Sequence, residues 1–155
     1  MKQTRRTVLQ MAGGSGLYAA LVGIGMVRPG TAEAATLAEL FKVKGIKGTL
    51  AAMGAGSAGE SGDVVLNAPD IAENGAVVPI NVTSKIPNTE MIAVLVDKNP
   101  NALAGAFEIM PGALADVSMR IKMGQSSDVA AVVKAGGKFY VAKKEIKVTL
   151  GGCGG

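Results

Sequence analysis

The residues best suited to do chemistry in this chain are its last five, Gly151-Gly152-Cys153-Gly154-Gly155. Cys153 is the one cysteine in 155 residues, and histidine is absent. A thiol set among four glycines has no sequence neighbours to pack on and no second cysteine with which to close an internal disulfide. It reads as a reactive group on a flexible tether, because glycine lets the backbone take almost any conformation and pass through a narrow channel. No Lys, Arg or His stands beside Cys153 to stabilise the thiolate, the reactive form of cysteine. The pattern therefore suits a thiol that is activated or modified in another protein's active site. Two plainer readings stand beside it: a frayed terminus with an incidental cysteine, and a structural tie in which Cys153 forms an intermolecular disulfide. A thiol-dependent redox enzyme would want a resolving cysteine or a base, and the chain has neither.

Composition removes most other chemistry. One cysteine and no histidine cannot assemble the ligand set of a zinc, copper or haem site. Nor can they make a Ser-His-Asp or Cys-His pair, so no cofactor or metal is expected. Met91, Met110, Met119 and Met123 read as core rather than copper ligands. Asp63, Asp70 and Glu73 fit no calcium-loop spacing. Residues 54–62 (GAGSAGESG) lack the Gly-Lys-Ser/Thr end of a phosphate-binding loop and read as a mobile loop.

The first 34 residues read as an address. Thr4-Arg5-Arg6-Thr7-Val8-Leu9 is a twin-arginine signature, an apolar and glycine-rich stretch follows, and Ala32-Glu33-Ala34 is an A-x-A cleavage pattern. That order of charged, apolar and small residues is a signal peptide's, and the stretch is near the short end for a membrane anchor. The expectation is cleavage after Ala34 and a mature chain of residues 35–155 in a bacterial periplasm. The formal charge of +4 mostly belongs to this segment. Removing Lys2, Arg5, Arg6, Arg28 and Glu33 leaves twelve basic and eleven acidic residues. No concentrated basic patch or stacking aromatic points to nucleic acid; Lys42, Lys44 and Lys47, and Lys143, Lys144 and Lys147, read as solvated faces. Twin-arginine export carries proteins that fold first. With no cofactor to insert, the remaining motive is export bound to a partner that lacks a signal. An unpaired cysteine in an oxidising compartment also suggests an intermolecular or deliberately reactive thiol.

The elements that must position Cys153 are strands. Hydrophobic residues make up 48% of the chain but aromatics only 3%, so one domain must build its core from aliphatic side chains that suit strands. A helix is expected over 36–44, with Thr36 as N-cap, Glu39 at N3 and Gly45 as stop. Strands are expected over 64–67, 77–83, 90–97, 103–110, 116–123 and 128–134, with a last one ending at Leu150. Asn74-Gly75, Pro111-Gly112 and Gly136-Gly137 are turns. Val78, Ile80 and Val82 share one face, and Pro79 places that strand at an edge or a bulge. The strand over 90–97 is apolar on both faces, so it is either central or covered by another chain. Val117, Met119, Ile121 and Met123 point inward. In the last strand Phe139 and Val141 point inward, but so do Ile146, Val148 and Leu150, of opposite parity; a β-bulge near Lys143-Lys144 would reconcile them. Six or seven short strands with such turns predict an all-β, immunoglobulin-like antiparallel sandwich with a short N-terminal helix. The domain plan is a signal peptide over 1–34, a sandwich over 35–150 and a swinging arm over 151–155.

The Gly-Gly-Cys-Gly-Gly terminus, the twin-arginine signal and the segment Ile71-Ala72-Glu73-Asn74-Gly75-Ala76-Val77-Val78-Pro79 together resemble the SoxY family, sulfur-carrier subunits of the bacterial thiosulfate-oxidising (Sox) system. The resemblance covers essentially the whole chain. It implies a carrier, not an enzyme, that holds sulfur intermediates covalently on Cys153, with Gly151, Gly152, Gly154 and Gly155 giving the arm its freedom. It also implies a heterodimer with a SoxZ subunit, for which the doubly apolar strand over 90–97 is the interface candidate. The further partners it implies are a c-type cytochrome complex, a dimanganese hydrolase that releases sulfate and a sulfane dehydrogenase.

Overall fold

Alternating side chains on short strands give two sheets that each need a cover, and the chain meets that need by stacking them. The computed structural model describes residues 37–149. Among the described residues two short helices come first, α1 (Leu37–Leu40) and α2 (Ile46–Ala52). Nine strands follow: β1 (Gly59–Glu60), β2 (Val64–Asn67), β3 (Ile71–Ala72), β4 (Val78–Ser84), β5 (Thr89–Val96), β6 (Leu103–Glu108), β7 (Asp116–Ile121), β8 (Ser127–Ala135) and β9 (Lys138–Val148). The larger sheet runs β1-β9-β8-β5-β6, with β3 also paired to β9; the smaller runs β2-β4-β7. The main ladders are antiparallel, while the two-residue strands β1 and β3 add parallel pairs on β9. This is the expected immunoglobulin-like sandwich.

Two apolar clusters hold it. Between the sheets, Val78, Ile80, Val82 and Ile121 of the small sheet meet Ile92, Val94, Val129, Val133 and Ile146 of the large one. On the other face of the large sheet, Leu40, Ile46, Met53 and Ala55 cover Ala93, Leu95, Val132 and Val141. Each fully buried Val, Ile or Leu contributes roughly 1.5–3 kcal/mol, so the central strands β5 and β8, buried on both faces over most of their length, are the energetic centre.

This layering corrects several expectations. The doubly apolar strand is covered by α1, α2 and the loop after them, not by another chain, so it loses its standing as an interface. The helix expected over 36–44 stops at Leu40; Thr36 lies outside the described residues. It ends in tighter turns, Lys42 N–H donating to the Glu39 carbonyl (2.9 Å) and Val43 N–H to the Leu40 carbonyl (3.2 Å), after which the Val43 carbonyl accepts from Ala102 N–H (3.1 Å) and ties the chain to the start of β6. Gly45, at φ +71°, is then not a stop but the entry to α2, which the sequence reading missed. No side chain at Gly45 can cap that helix; Asp97 does so from the end of β5, its Oδ1 accepting from Ile46 N–H at 2.9 Å. A cap supplied from 51 residues away leaves no local trace. The spacing of Ile46, Thr49, Leu50 and Met53 was the signal to read.

Nor are residues 54–62 a loose loop. Ala55 is buried, and β1 pairs with Tyr140 and Val141. Pro79 does not lie on an edge strand, since β4 is the middle strand of its sheet. But β2 reaches only to the Asn67–Asn81 pair, so Pro79 sits where β4 has already lost that neighbour and pairs with Arg120 of β7 alone. The bulge near Lys143-Lys144 is absent: β8 and β9 pair without a shift from Ser127–Ile146 to Ala135–Lys138. The parity change has another cause. Phe139 and Val141 face the helices, whereas Tyr140, Ala142, Ile146 and Val148 face the small sheet, so β9 is apolar on both sides in turn. The register shifts fall in β5 instead, between Val94 and Leu95 against β6 and between Thr89 and Met91 against β8. Met110 is not core but exposed; Met123 is buried, and Met91 and Met119 are partly so.

Candidate functional site: the base of the C-terminal arm

The candidate residues Cys153, Gly151, Gly152, Gly154 and Gly155 lie outside the described residues, as does Leu150. The structure instead fixes the platform they leave from. A strand that carries an arm must not unzip under it, and the end of β9 is held on both flanks. On one flank, Lys147 N–H donates to the Asp70 carbonyl (2.9 Å) and Thr149 N–H to the Ala72 carbonyl (3.0 Å), an extension of the β3 pairing. On the other, Val148 N–H donates to Ser126 Oγ at 2.9 Å. Successive N–H groups of a strand point to opposite sides, and here each finds an acceptor. A backbone hydrogen bond contributes roughly 0.5–1.5 kcal/mol net, so three at the last turn of chain resist fraying.

Side chains lock the same place. Ala72 is buried, and Val148 packs on the inter-sheet cluster. The Asn74-Gly75 turn closes as expected: Asn74 Oδ1 accepts from Ala76 N–H at 2.9 Å and its carbonyl from Val77 N–H at 3.3 Å. Gly75 is there for closeness. Its carbonyl accepts from Met123 N–H at 2.6 Å, and a β-carbon at this position would collide with the Met123 carbonyl oxygen and stand 2.9 Å from Val148 Cγ1. The turn thus wedges between β9 and the segment after β7. On either side of it in sequence, Ile71 and Val77 are 56% and 49% exposed.

Charges at the base are solvent-screened. Lys144 pairs with Asp70 (3.0 Å) and also donates to the Ala68 carbonyl; Lys143 pairs with Glu60 (3.7 Å). The carboxylates are largely exposed, so such pairs are worth about 0–1 kcal/mol. Asp70 and Glu73 are therefore edge and turn residues. Among the described residues no group of three or more acidic side chains is arranged to hold a metal ion.

Reasoning from sequence found the tail and the Asn-Gly turn but missed Ser126, the β3 strap and the Gly75–Met123 contact. The 71–79 segment was legible as a motif, not as the brace beneath the arm.

The family model of sulfur oxidation protein SoxY matches residues 50–153, a stretch that runs through Cys153. Among solved structures, the sulfur carrier protein SoxY from Chlorobium limicola f thiosulfatophilum is 39% identical, with a TM-score of 0.54, over 58% of this chain and 82% of that one. A superoxide reductase (neelaredoxin) from Ignicoccus hospitalis is similar at 21% identity and a TM-score of 0.51, over 56% of this chain and 80% of that one. At that identity the likeness is one of fold alone. No curated protein gives a significant match.

Proposed function

The chain belongs to the SoxY family of sulfur oxidation proteins, and on that footing we propose that it is a sulfur carrier of the Sox system, which binds intermediates of thiosulfate oxidation covalently on Cys153 and presents them to partner enzymes. The observation that carries the reading is the doubly strapped end of β9, five residues before the one thiol in the chain. A rigid base and a glycine-flanked tip are what a tether needs: four residues beyond Thr149 span at most about 14 Å, enough to put the sulfur inside another protein's cleft while the sandwich stays outside.

The chain contributes attachment, not catalysis. Conjugation joins the Cys153 thiol to the sulfane sulfur of thiosulfate, giving a cysteine S-thiosulfonate and releasing two electrons and one proton; the electrons go to the c-type cytochrome complex. Hydrolysis then adds water, releases sulfate and leaves a persulfide on Cys153; that step belongs to a dimanganese hydrolase. A sulfane dehydrogenase, where present, oxidises what remains. Tethering replaces repeated bimolecular encounters by one docking event and raises the local concentration of cargo. SoxZ is the expected heterodimer partner. The first 34 residues would export the folded pair by the twin-arginine route to the periplasm, with cleavage after Ala34.

Intact mass tests this reading. Protein taken from the periplasm of thiosulfate-grown cells should carry adducts in steps of one sulfur or one thiosulfate-derived group, lost on reduction and missing in Cys153→Ser. A bare mass, or only a disulfide-linked dimer, would instead make Cys153 an idle terminus or a structural tie.

A further inference from the structure

The Asn74-Gly75 turn holds a reactive pair that the carrier reading leaves unused. The chain has six asparagines, Asn67, Asn74, Asn81, Asn88, Asn99 and Asn101, and of these Asn74 alone precedes a glycine; no aspartate does. An asparagine carboxamide is open to attack by the amide nitrogen of the next residue, and glycine, with no β-carbon, puts nothing in the path of that attack. Three of the other asparagines hold their side-chain nitrogens: Asn81 Nδ2 donates to Asp116 Oδ1 (2.9 Å), Asn67 Nδ2 to Asn81 Oδ1 (3.4 Å) and Asn99 Nδ2 to the Lys122 carbonyl (2.7 Å). Asn74 is exposed, and among the described residues neither its Nδ2 nor the Gly75 N–H finds an acceptor. Its Oδ1 accepts from Ala76 N–H at 2.9 Å. That bond draws electron density from Cγ and keeps the carboxamide beside the backbone.

Closing a ring between Gly75 N and Asn74 Cγ requires the peptide between the two residues to turn. The Asn74 carbonyl on that peptide accepts from Val77 N–H at 3.3 Å, beyond the usual range of about 2.7–3.2 Å. The short bond, from Met123 N–H to the Gly75 carbonyl at 2.6 Å, belongs to the next peptide. Turning the first plane therefore gives up one long hydrogen bond and leaves the contact with Met123 in place.

We propose that Asn74 is a site of spontaneous deamidation in the folded chain, and that its isoaspartate product loosens the brace under the end of β9. The Gly75 amide gives its proton to hydroxide, and its nitrogen bonds to Asn74 Cγ. The Cγ–Nδ2 bond breaks, and ammonia leaves with a proton from water, which restores the hydroxide and closes a succinimide. Water then opens the ring: attack at Cγ gives aspartate, attack at the main-chain carbonyl carbon gives isoaspartate. Nothing is oxidised or reduced. Isoaspartate routes the main chain through the former side chain and lengthens it by one methylene between Ala72, bonded to Thr149, and Gly75, bonded to Met123. Even a β-carbon at Gly75 would collide with the Met123 carbonyl oxygen and crowd Val148, so the turn has no room to absorb the added length. The inference needs only water and this turn and does not rest on the carrier reading.

The test follows the mature chain, purified with any subunit that accompanies it, through incubation at neutral and mildly alkaline pH and peptide mass mapping. The peptide holding Asn74 should gain the mass difference between amide and acid at least about tenfold faster than any peptide holding another asparagine, and within about tenfold of its rate in urea-unfolded chain. The rate should rise with pH, because hydroxide takes the Gly75 proton. Labelling by protein isoaspartyl methyltransferase should mark the same peptide and vanish in Asn74→Gln, whose longer side chain closes a ring reluctantly. In the isoaspartate fraction, isolated by ion exchange, amide exchange at Met123 and Thr149 should quicken about fivefold, as expected for the loss of one backbone hydrogen bond. Asn74→Asp adds the same charge without lengthening the backbone and keeps an acceptor for Ala76 N–H, so it should exchange like the fresh chain. A folded rate more than about tenfold below the unfolded one would mean that the turn protects its asparagine, and would overturn the site. Unchanged exchange in the isoaspartate fraction, or equal exchange in that fraction and in Asn74→Asp, would overturn the link to the brace. None of these results bears on adducts at Cys153, so this inference and the carrier reading fail separately.

Discussion

The two ends of the sandwich are built to different standards. At the arm end, β9 finishes between the β3 strap and Ser126, the Asn74-Gly75 turn is wedged against Met123 and Val148, and every N–H from Lys147 to Thr149 has an acceptor. At the opposite end the chain between β6 and β7 lies open to solvent, with Met110 68% and Leu114 88% exposed and a turn at Gly112, φ +83°. The contrast teaches that order is spent where force or motion must be borne. A tether transmits its pulls to its root, and there the fold supplies hydrogen bonds on both flanks and a turn too close for any side chain.

That contrast can be broken in graded steps. The largest effect should come from Cys153→Ser, which should abolish loading, read by intact mass, while leaving the melting temperature unchanged. Gly75→Ala comes next. Its methyl group must displace the Met123 carbonyl or Val148, and such overpacking costs typically about 1–3 kcal/mol, measurable by urea unfolding; a neutral result would mean that the wedge is not the brace described above. Ser126→Ala should be milder. It removes the acceptor for Val148 N–H and should cost about 1 kcal/mol, with faster amide exchange at Val148 and Thr149 but not at the centre of β8. At the open end, Leu114→Ser should change stability by no more than about 0.5 kcal/mol. If it cost as much as Ser126→Ala, the two ends would not differ in the way proposed.

Much of the fold was legible because it is local. The strand β2 falls on its expected residues, Val78, Ile80 and Val82 face inward as their spacing says, and the glycines of the β8–β9 hairpin take the positive φ that a two-residue turn demands, +55° and +72°. What could not be read depends on which neighbour covers which face. The parity change along β9 looked like a bulge because a single core was assumed; with helices on one side and a sheet on the other, both parities are inward in an unbroken ladder. The doubly apolar β5 posed the same question, and α2, capped by Asp97 from the end of β5, answered it. At the candidate site the thiol and the Asn-Gly turn were visible as residues, but not the contact that joins the turn to the root of the arm.

By itself the sequence determined the chemistry and the element types. A single cysteine, no histidine and a glycine-flanked terminus decide what reactions the chain can host, and alternation with a period of two decides that strands form. These are properties of residue identity and near spacing, which no tertiary contact alters. Only the tertiary structure decided how the end of β9 is held and which face of each strand meets a partner layer. Those outcomes come from contacts between segments far apart in sequence, such as Val148 with Ser126, Gly75 with Met123 and Ile46 with Asp97, whose energies depend on geometry that no local pattern encodes.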